Sequence, residues 1–263
     1  MSDPPEIGLN HKSCGIATIE LRIVNGLATE IDRFPWLVFL HVSYGATLTR
    51  CAGALLTSRH VITAAHCTLL NDSVPTTDIR MAYGSTAFTL GVKLQVKRYI
   101  RHESFVLSSF ENDLAILVLD HDLKLGPKAR VICLPKTPRN IEGQTVAVAG
   151  WGVLKENGTG AKTLRYTTQL VWPPDQCRRA LSPIGFFYPL QTCAYKKGSD
   201  ACQGDSGAPM MVKNGKRFEI VGLVSFGNGC NIEGVPGVYT NVFNYIEWIK
   251  NAIAGHGGKV VYM

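Results

Sequence analysis

Apolar residues fall in short runs along this chain, each bounded by glycine, proline or polar turn residues. The clearest runs are Trp36 to Leu40, Cys51 to Leu56, Val61 to Ala65, Leu114 to Leu119, Val131 to Leu134 and Val146 to Trp151. Runs of this length, rich in branched residues and closed by turn signals, read as β-strands. Gly126-Pro127 separates an earlier set from a later one, which gives two β lobes of similar size. The period changes only near the end. Val242, Ile246, Ile249 and Ile253 recur at helical spacing, with Asn241 as the N-cap and Gly255 as the stop. An amphipathic helix is therefore expected over 241–254. Residues 1–22 are polar and aperiodic, and 255–263 read as a loose tail.

Composition narrows the class. The chain has 263 residues, 46% hydrophobic and 18% charged, enough for a substantial core rather than disorder. No apolar run approaches the roughly 20 residues a membrane helix needs. Met1 to Ser13 lacks the apolar segment of a signal peptide. The eight cysteines contain no CxxC pair, which argues against zinc-knuckle and thioredoxin-type sites. An even, dispersed set fits four disulfides formed in an oxidising compartment, so a secreted protein is expected. Spacing alone leaves 105 possible pairings for eight cysteines. Cys51 and Cys67 straddle two strands and could close a loop worth about 3 kcal/mol.

Charge adds less. The net charge is +7, with basic clusters at Lys93, Lys97, Arg98 and Arg101, and at Lys124, Lys128, Arg130 and Lys136. Sulfated polysaccharide or an acidic partner would suit either cluster, but a solvated strand face accounts for both. Neither carries the interleaved aromatics of a nucleic-acid platform, and no nucleic-acid partner is expected. Sequons stand at Asn71-Asp72-Ser73 and Asn157-Gly158-Thr159.

The stretch Asp200 to Pro209, DACQGDSGAP, carries the candidate chemistry. Ser206 lies between Gly204-Asp205 and Gly207, a context that presents a hydroxyl on a tight turn and admits a carbonyl to the backbone. An ordinary surface turn has the same residues. A serine hydroxyl needs a base to become a nucleophile. His66 ends an apolar strand beside Cys67, a rigid mount for such a base. His60, beside Arg59, reads as surface. Asp113 opens an apolar run and is expected to be buried, where a carboxylate needs a partner such as a histidine N–H. Asp120, at the other end, reads as a strand-exit cap. Arg22-Ile23 is either a strand start or a site for cleavage after a basic residue.

His66, Asp113 and Ser206 occur in an order that resembles the trypsin-like serine endopeptidases. TAAHC, NDLAIL, GWG, GDSGAP and the junction RIVNG stand at similar spacing, and the likeness covers about residues 14–254. The resemblance implies an all-β fold: two antiparallel Greek-key barrels, the active site in the cleft between them, and a C-terminal helix. Residues 1–22 would be a propeptide tethered by Cys14, and 23–254 the peptidase domain. Its barrels would span about 23–125 and 130–240, with the helix at 241–254 and a tail at 255–263.

The same resemblance makes His66 the general base, Asp113 its orienting partner and Ser206 the nucleophile, with Gly204 and Ser206 N–H groups as the oxyanion hole. Cleavage after Arg22 would free Ile23 to pair with Asp205. Asp200 would be the pocket floor, with Ala201, Ser225, Phe226, Gly227 and Gly237 around it. A carboxylate floor selects a long cation, and alanine at 201 in place of serine favours arginine over lysine. The implied disulfides are Cys14–Cys133, Cys51–Cys67, Cys177–Cys193 and Cys202–Cys230. Val146 and Val212 would fill the place of a further bridge, Ala208 that of a glycine, and Phe226 that of a tryptophan. With no acid from Gly84 to Arg101, no calcium loop is expected, nor any other metal or cofactor. Expected partners are protein substrates, an activating protease and protein inhibitors of a monomer. The alternative is a catalytically silent homologue that acts as a binding or cofactor protein, although such chains typically lose the nucleophile or base.

Overall fold

Alternation and short apolar runs produce thirteen principal strands in the computed structural model. It describes residues 8–17, 27–71, 74–153, 158, 160–198, 204–229, 232–255 and 259–262. The first six strands are β1 (Leu37–Tyr44), β2 (Thr47–Leu55), β3 (His60–Thr63), β4 (Asp78–Tyr83), β5 (Val92–Arg101) and β6 (Ala115–Leu119). They pair antiparallel in the order β5-β4-β1-β2-β3-β6, and β6 returns to β5 to close a barrel. The next six are β7 (Thr145–Gly150), β8 (Arg165–Val171), β9 (Gln191–Tyr195), β10 (Pro209–Asn214), β11 (Arg217–Phe226) and β12 (Gly237–Asn241). Their order is β8-β7-β10-β11-β12-β9, and β9 closes onto β8. In each barrel the fourth strand lies beside the first, the fifth beside the fourth, and the sixth between the fifth and third. The two barrels therefore share one Greek-key topology, and closure removes the edges that would otherwise invite pairing with other chains.

One apolar cluster runs through both barrels. At their junction Trp36 and Phe34 meet Phe218, with ring centroids 5.5 and 6.0 Å apart. Trp36 Nε1 also donates to Met211 Sδ at 3.1 Å. The segment around Gly126 turns back on itself and then follows the first barrel, where Ile132 N donates to Leu55 O. Residues 8–17 dock on the second barrel: Asn10 exchanges hydrogen bonds with Leu134, and Arg217 donates to the carbonyls of Lys12 and Cys14. Cys14–Cys133 ties this segment down. Val146 and Val212 are both buried, as apolar infill requires.

Two expectations change. Asn241 does cap the C-terminal helix, accepting from Phe243 N, but the first turn, Val242–Tyr245, is a 3-10 helix. The α-helix proper is α2, Ile246–Ile253. The last residues are not a loose tail throughout. Lys259–Tyr262 forms β13, antiparallel to Arg98–Arg101 of β5. A shorter helix, α1 (Pro174–Ala180), precedes β9 and is pinned to it by Cys177–Cys193. Among the described residues, no helix is long and apolar enough to cross a membrane.

Candidate active site

His66 and Asp113 come from the same end of one strand pair. β3 and β6 are hydrogen-bonded neighbours, with Thr63 opposite Ala115, so the residue following β3 and the one preceding β6 leave the barrel at the same end. A 3-10 turn over Ala65–Thr68 then carries His66 over Asp113. Asp113 is fully buried, as its place at the head of an apolar run suggests. Its Oδ2 lies 2.8 Å from His66 Nδ1, and its Oδ1 accepts from His66 N at 2.8 Å. Ser225 Oγ donates to Oδ2 at 2.5 Å, and Thr240 Oγ1 donates to the Asp113 carbonyl at 2.7 Å. A buried charge is tolerable only with such a shell. With Nδ1 engaged by the carboxylate, His66 Nε2 is the nitrogen left to meet a substrate or nucleophile.

Ser206 reaches this place from the second barrel. Its carbonyl accepts from Ala52 N of β2 at 2.8 Å, and Gly207 N donates to Val224 O of β11. The Cys51–Cys67 disulfide sits between the two residues: Cys67 Sγ is 3.7 Å from Ser206 O and 3.9 Å from His66 Nε2. Those disulfide sulfurs are bonded to each other, so this cluster offers no thiolate for a metal. Gly207 has to be glycine. Its φ is +78°, and a Cβ there would fall 2.2 Å from Thr63 Oγ1. Gly204 likewise has a positive φ, +93°.

Asp205 points away from Ser206 into a seat made by the second barrel. Gly152 N donates to its Oδ1 at 2.7 Å, and a Cβ on Gly152 would lie 2.3 Å from Oδ2. The glycines of GWG thus make room for a carboxylate. Ser225 and Phe226 end β11, Gly227 follows it, and Gly237 begins β12, the strand paired with β11. Ser225 turns its hydroxyl to Asp113, while Phe226 remains partly exposed. Arg22, Ile23, Asp200, Ala201 and the Cys202–Cys230 pair lie outside the described residues, as does Asn157. The other three implied disulfides, Cys14–Cys133, Cys51–Cys67 and Cys177–Cys193, are present.

Sequence reasoning missed Phe110. Its ring meets His66 edge-on at 5.5 Å and stacks on Phe226 at 4.9 Å, forming a continuous aromatic wall along the cleft. Its φ of +53° turns the side chain inward from the loop. The available signal was one aromatic within the polar stretch Ser108-Ser109-Phe110-Glu111. His60 was misplaced in the other direction. It is buried, and Thr57 Oγ1, already accepting from the Arg59 and His60 N–H groups, meets its Nδ1 at 2.8 Å.

The Trypsin family model matches residues 23–249. This chain belongs to the trypsin family. It is a trypsin-like serine endopeptidase, a peptide-bond hydrolase. Among its relatives, the Proclotting enzyme of Tachypleus tridentatus is 35% identical over 254 residues, covering 90% of this chain and 68% of the relative. Trypsin alpha-4 of Lucilia cuprina is 34% identical over 241 residues, 90% and 89% of the two chains. The Phenoloxidase-activating enzyme of Bombyx mori is 32% identical over 267 residues, 88% and 60%. The chain spans from 33% to 89% of the lengths of the curated relatives it matches.

Proposed function

We propose that this trypsin-family chain is a secreted zymogen whose cleaved form hydrolyses protein bonds after arginine. The observation that carries the reading is the convergence on one disulfide of His66, oriented by buried Asp113, and the Ser206 turn.

In the reaction, Ser206 Oγ attacks the carbonyl carbon while His66 Nε2 takes its proton. The developing oxyanion is received by the N–H groups of Gly204 and Ser206. Asp113 keeps the imidazole in the tautomer with Nδ1–H and stabilises the imidazolium, which then protonates the leaving amine. The C–N bond breaks, leaving an acyl ester on Ser206. Water, deprotonated by His66, attacks that ester, and the acid product leaves as Ser206 regains its proton.

Activation would act through Asp205. Cleavage between Arg22 and Ile23 would create an ammonium on Ile23, and Asp205, whose Oδ1 accepts from Gly152 N, would take it. Asp200 would fix the cationic side chain of the substrate, and Ala201 would tilt the choice to arginine, whose fork pairs bidentately without a neighbouring hydroxyl. Paired cysteines support an extracellular compartment. The relatives named for clotting and phenoloxidase activation support limited proteolysis within a cascade.

The test uses matched arginyl and lysyl peptide amides with the chain cleaved after Arg22. Arginine should be preferred about tenfold in kcat/KM, and Ser206→Ala should abolish both rates. Equal rates would remove the arginine preference. A Ser206→Ala protein as active as the parent would remove the mechanism.

A further inference from the structure

The loop between β5 and β6 carries Phe110 and Asp113 from the first barrel, but the second barrel grips it at three points. Thr240 Oγ1 donates to the Asp113 carbonyl, and Tyr245 OH donates to Asn112 Oδ1 at 3.1 Å. The third point is Gln191, which opens β9 opposite Thr240 and is 1% exposed. Its Nε2 donates to the carbonyls of Ser109 and Phe110, each at 3.2 Å, and its Oε1 accepts from Phe187 N at 2.9 Å.

An amide nitrogen carries two protons, so this one satisfies both carbonyls at once. Those carbonyls belong to the peptide units on either side of the Phe110 Cα. Holding both planes fixes the two dihedrals between them, and with them the direction of the Cα–Cβ bond. Phe110 needs such a hold. Its φ is +53°, a region that bulky residues avoid and keep only where their surroundings impose it. The amide is itself held at its other end, because Gln191 N also donates to Phe187 O at 2.9 Å. A buried amide with its donors and acceptor all engaged is a rigid mount.

The consequence lies in the cleft. Phe110 stands edge-on to the His66 ring at 5.5 Å and stacks on Phe226 at 4.9 Å, contact distance for both pairs. No side chain fits between Phe110 and the imidazole. Phe226 also neighbours the pocket proposed for the arginine, so the substrate residue that meets this wall is the one on the arginine's amino side. We propose that Gln191 is the positioning residue that holds Phe110 in place, and that it thereby restricts the residue before the scissile arginine to small side chains. The proposal rests on the endopeptidase reading above. Gln191 itself, buried behind the loop, would touch no substrate.

The test compares two arginyl peptide amides, one with glycine and one with leucine before the arginine, on the full chain cleaved after Arg22. The parent should favour the glycine amide about tenfold in kcat/KM. Gln191→Met keeps the side-chain length but loses both donors, and should cut that preference to about twofold through a lower KM for the leucine amide. Gln191→Glu, which keeps the acceptor for Phe187 N, should do the same. Phe110→Ala should also remove the preference, and adding Gln191→Met to it should change the ratio no further. A merely structural role would lower both rates alike and leave their ratio. A parent without the preference, an unchanged ratio in Gln191→Met or Gln191→Glu, or a further change on the Phe110→Ala background would overturn the proposal. A chain with a verified Ile23 terminus that hydrolyses neither amide would contradict the endopeptidase reading, and with it any substrate for Phe110 to select.

Discussion

At the scale of single residues, the weight falls on Asp113. It has no exposed surface, yet its carboxylate meets donors from His66 and Ser225, and its carbonyl meets Thr240. Replacing it by asparagine keeps the volume but puts an amide beside Nδ1, so the imidazole can settle in the wrong tautomer. Asp113→Asn should lower kcat by about 10⁴-fold, the loss typical of such a triad, while leaving the unfolding midpoint close to the parent's. A loss below about tenfold would mean that this carboxylate does not orient the base. Asp113 and His66 were legible because each is a polar residue adjoining an apolar run. Phe110 was not, because its place depends on a positive φ within a polar loop that no periodicity marks.

At the scale of elements, β3 shows where reading a chain residue by residue stops. His60 follows an arginine and looks like surface, but β3 pairs with β2 on one side and β6 on the other, which encloses it. Burial, with Arg59 and Arg98 adding to it, pushes its imidazole down to about 4. The unfolded chain would protonate near 6.5, so from pH 6.5 down to about 4 it takes a proton that the folded chain refuses. Stability should therefore fall as pH drops through that window, by up to about 3 kcal/mol from this group. Urea unfolding at pH 7 and pH 4.5 should show a smaller pH difference for His60→Gln than for the parent. Identical differences would show that His60 titrates alike in both states. The strand runs and the helical spacing of Val242, Ile246 and Ile249 were readable from the sequence. The 3-10 first turn and the pairing of β13 were not, because they follow from one capping side chain and from backbone hydrogen bonds rather than from any apolar pattern.

At the scale of the molecule, two barrels of one topology divide the proposed catalytic groups. The first supplies His66 and Asp113, and the second supplies Ser206, Asp205 and the Ser225–Phe226 wall. Only their docking through Trp36, Phe34 and Phe218 brings the groups together. The division was visible in the sequence as two sets of short strands around Gly126-Pro127, and its cooperative meaning came from the motif order. The central claim is that the assembly is a serine endopeptidase switched on by a new Ile23 terminus. It is tested most directly by cleaving the chain after Arg22, verifying Ile23 by terminal sequencing, and following hydrolysis of an arginyl peptide amide. The cleaved chain should hydrolyse it, at a rate at least about 10³-fold above the uncleaved chain and above the cleaved Ser206→Ala control. A verified Ile23 terminus with no rate above that control would contradict the account.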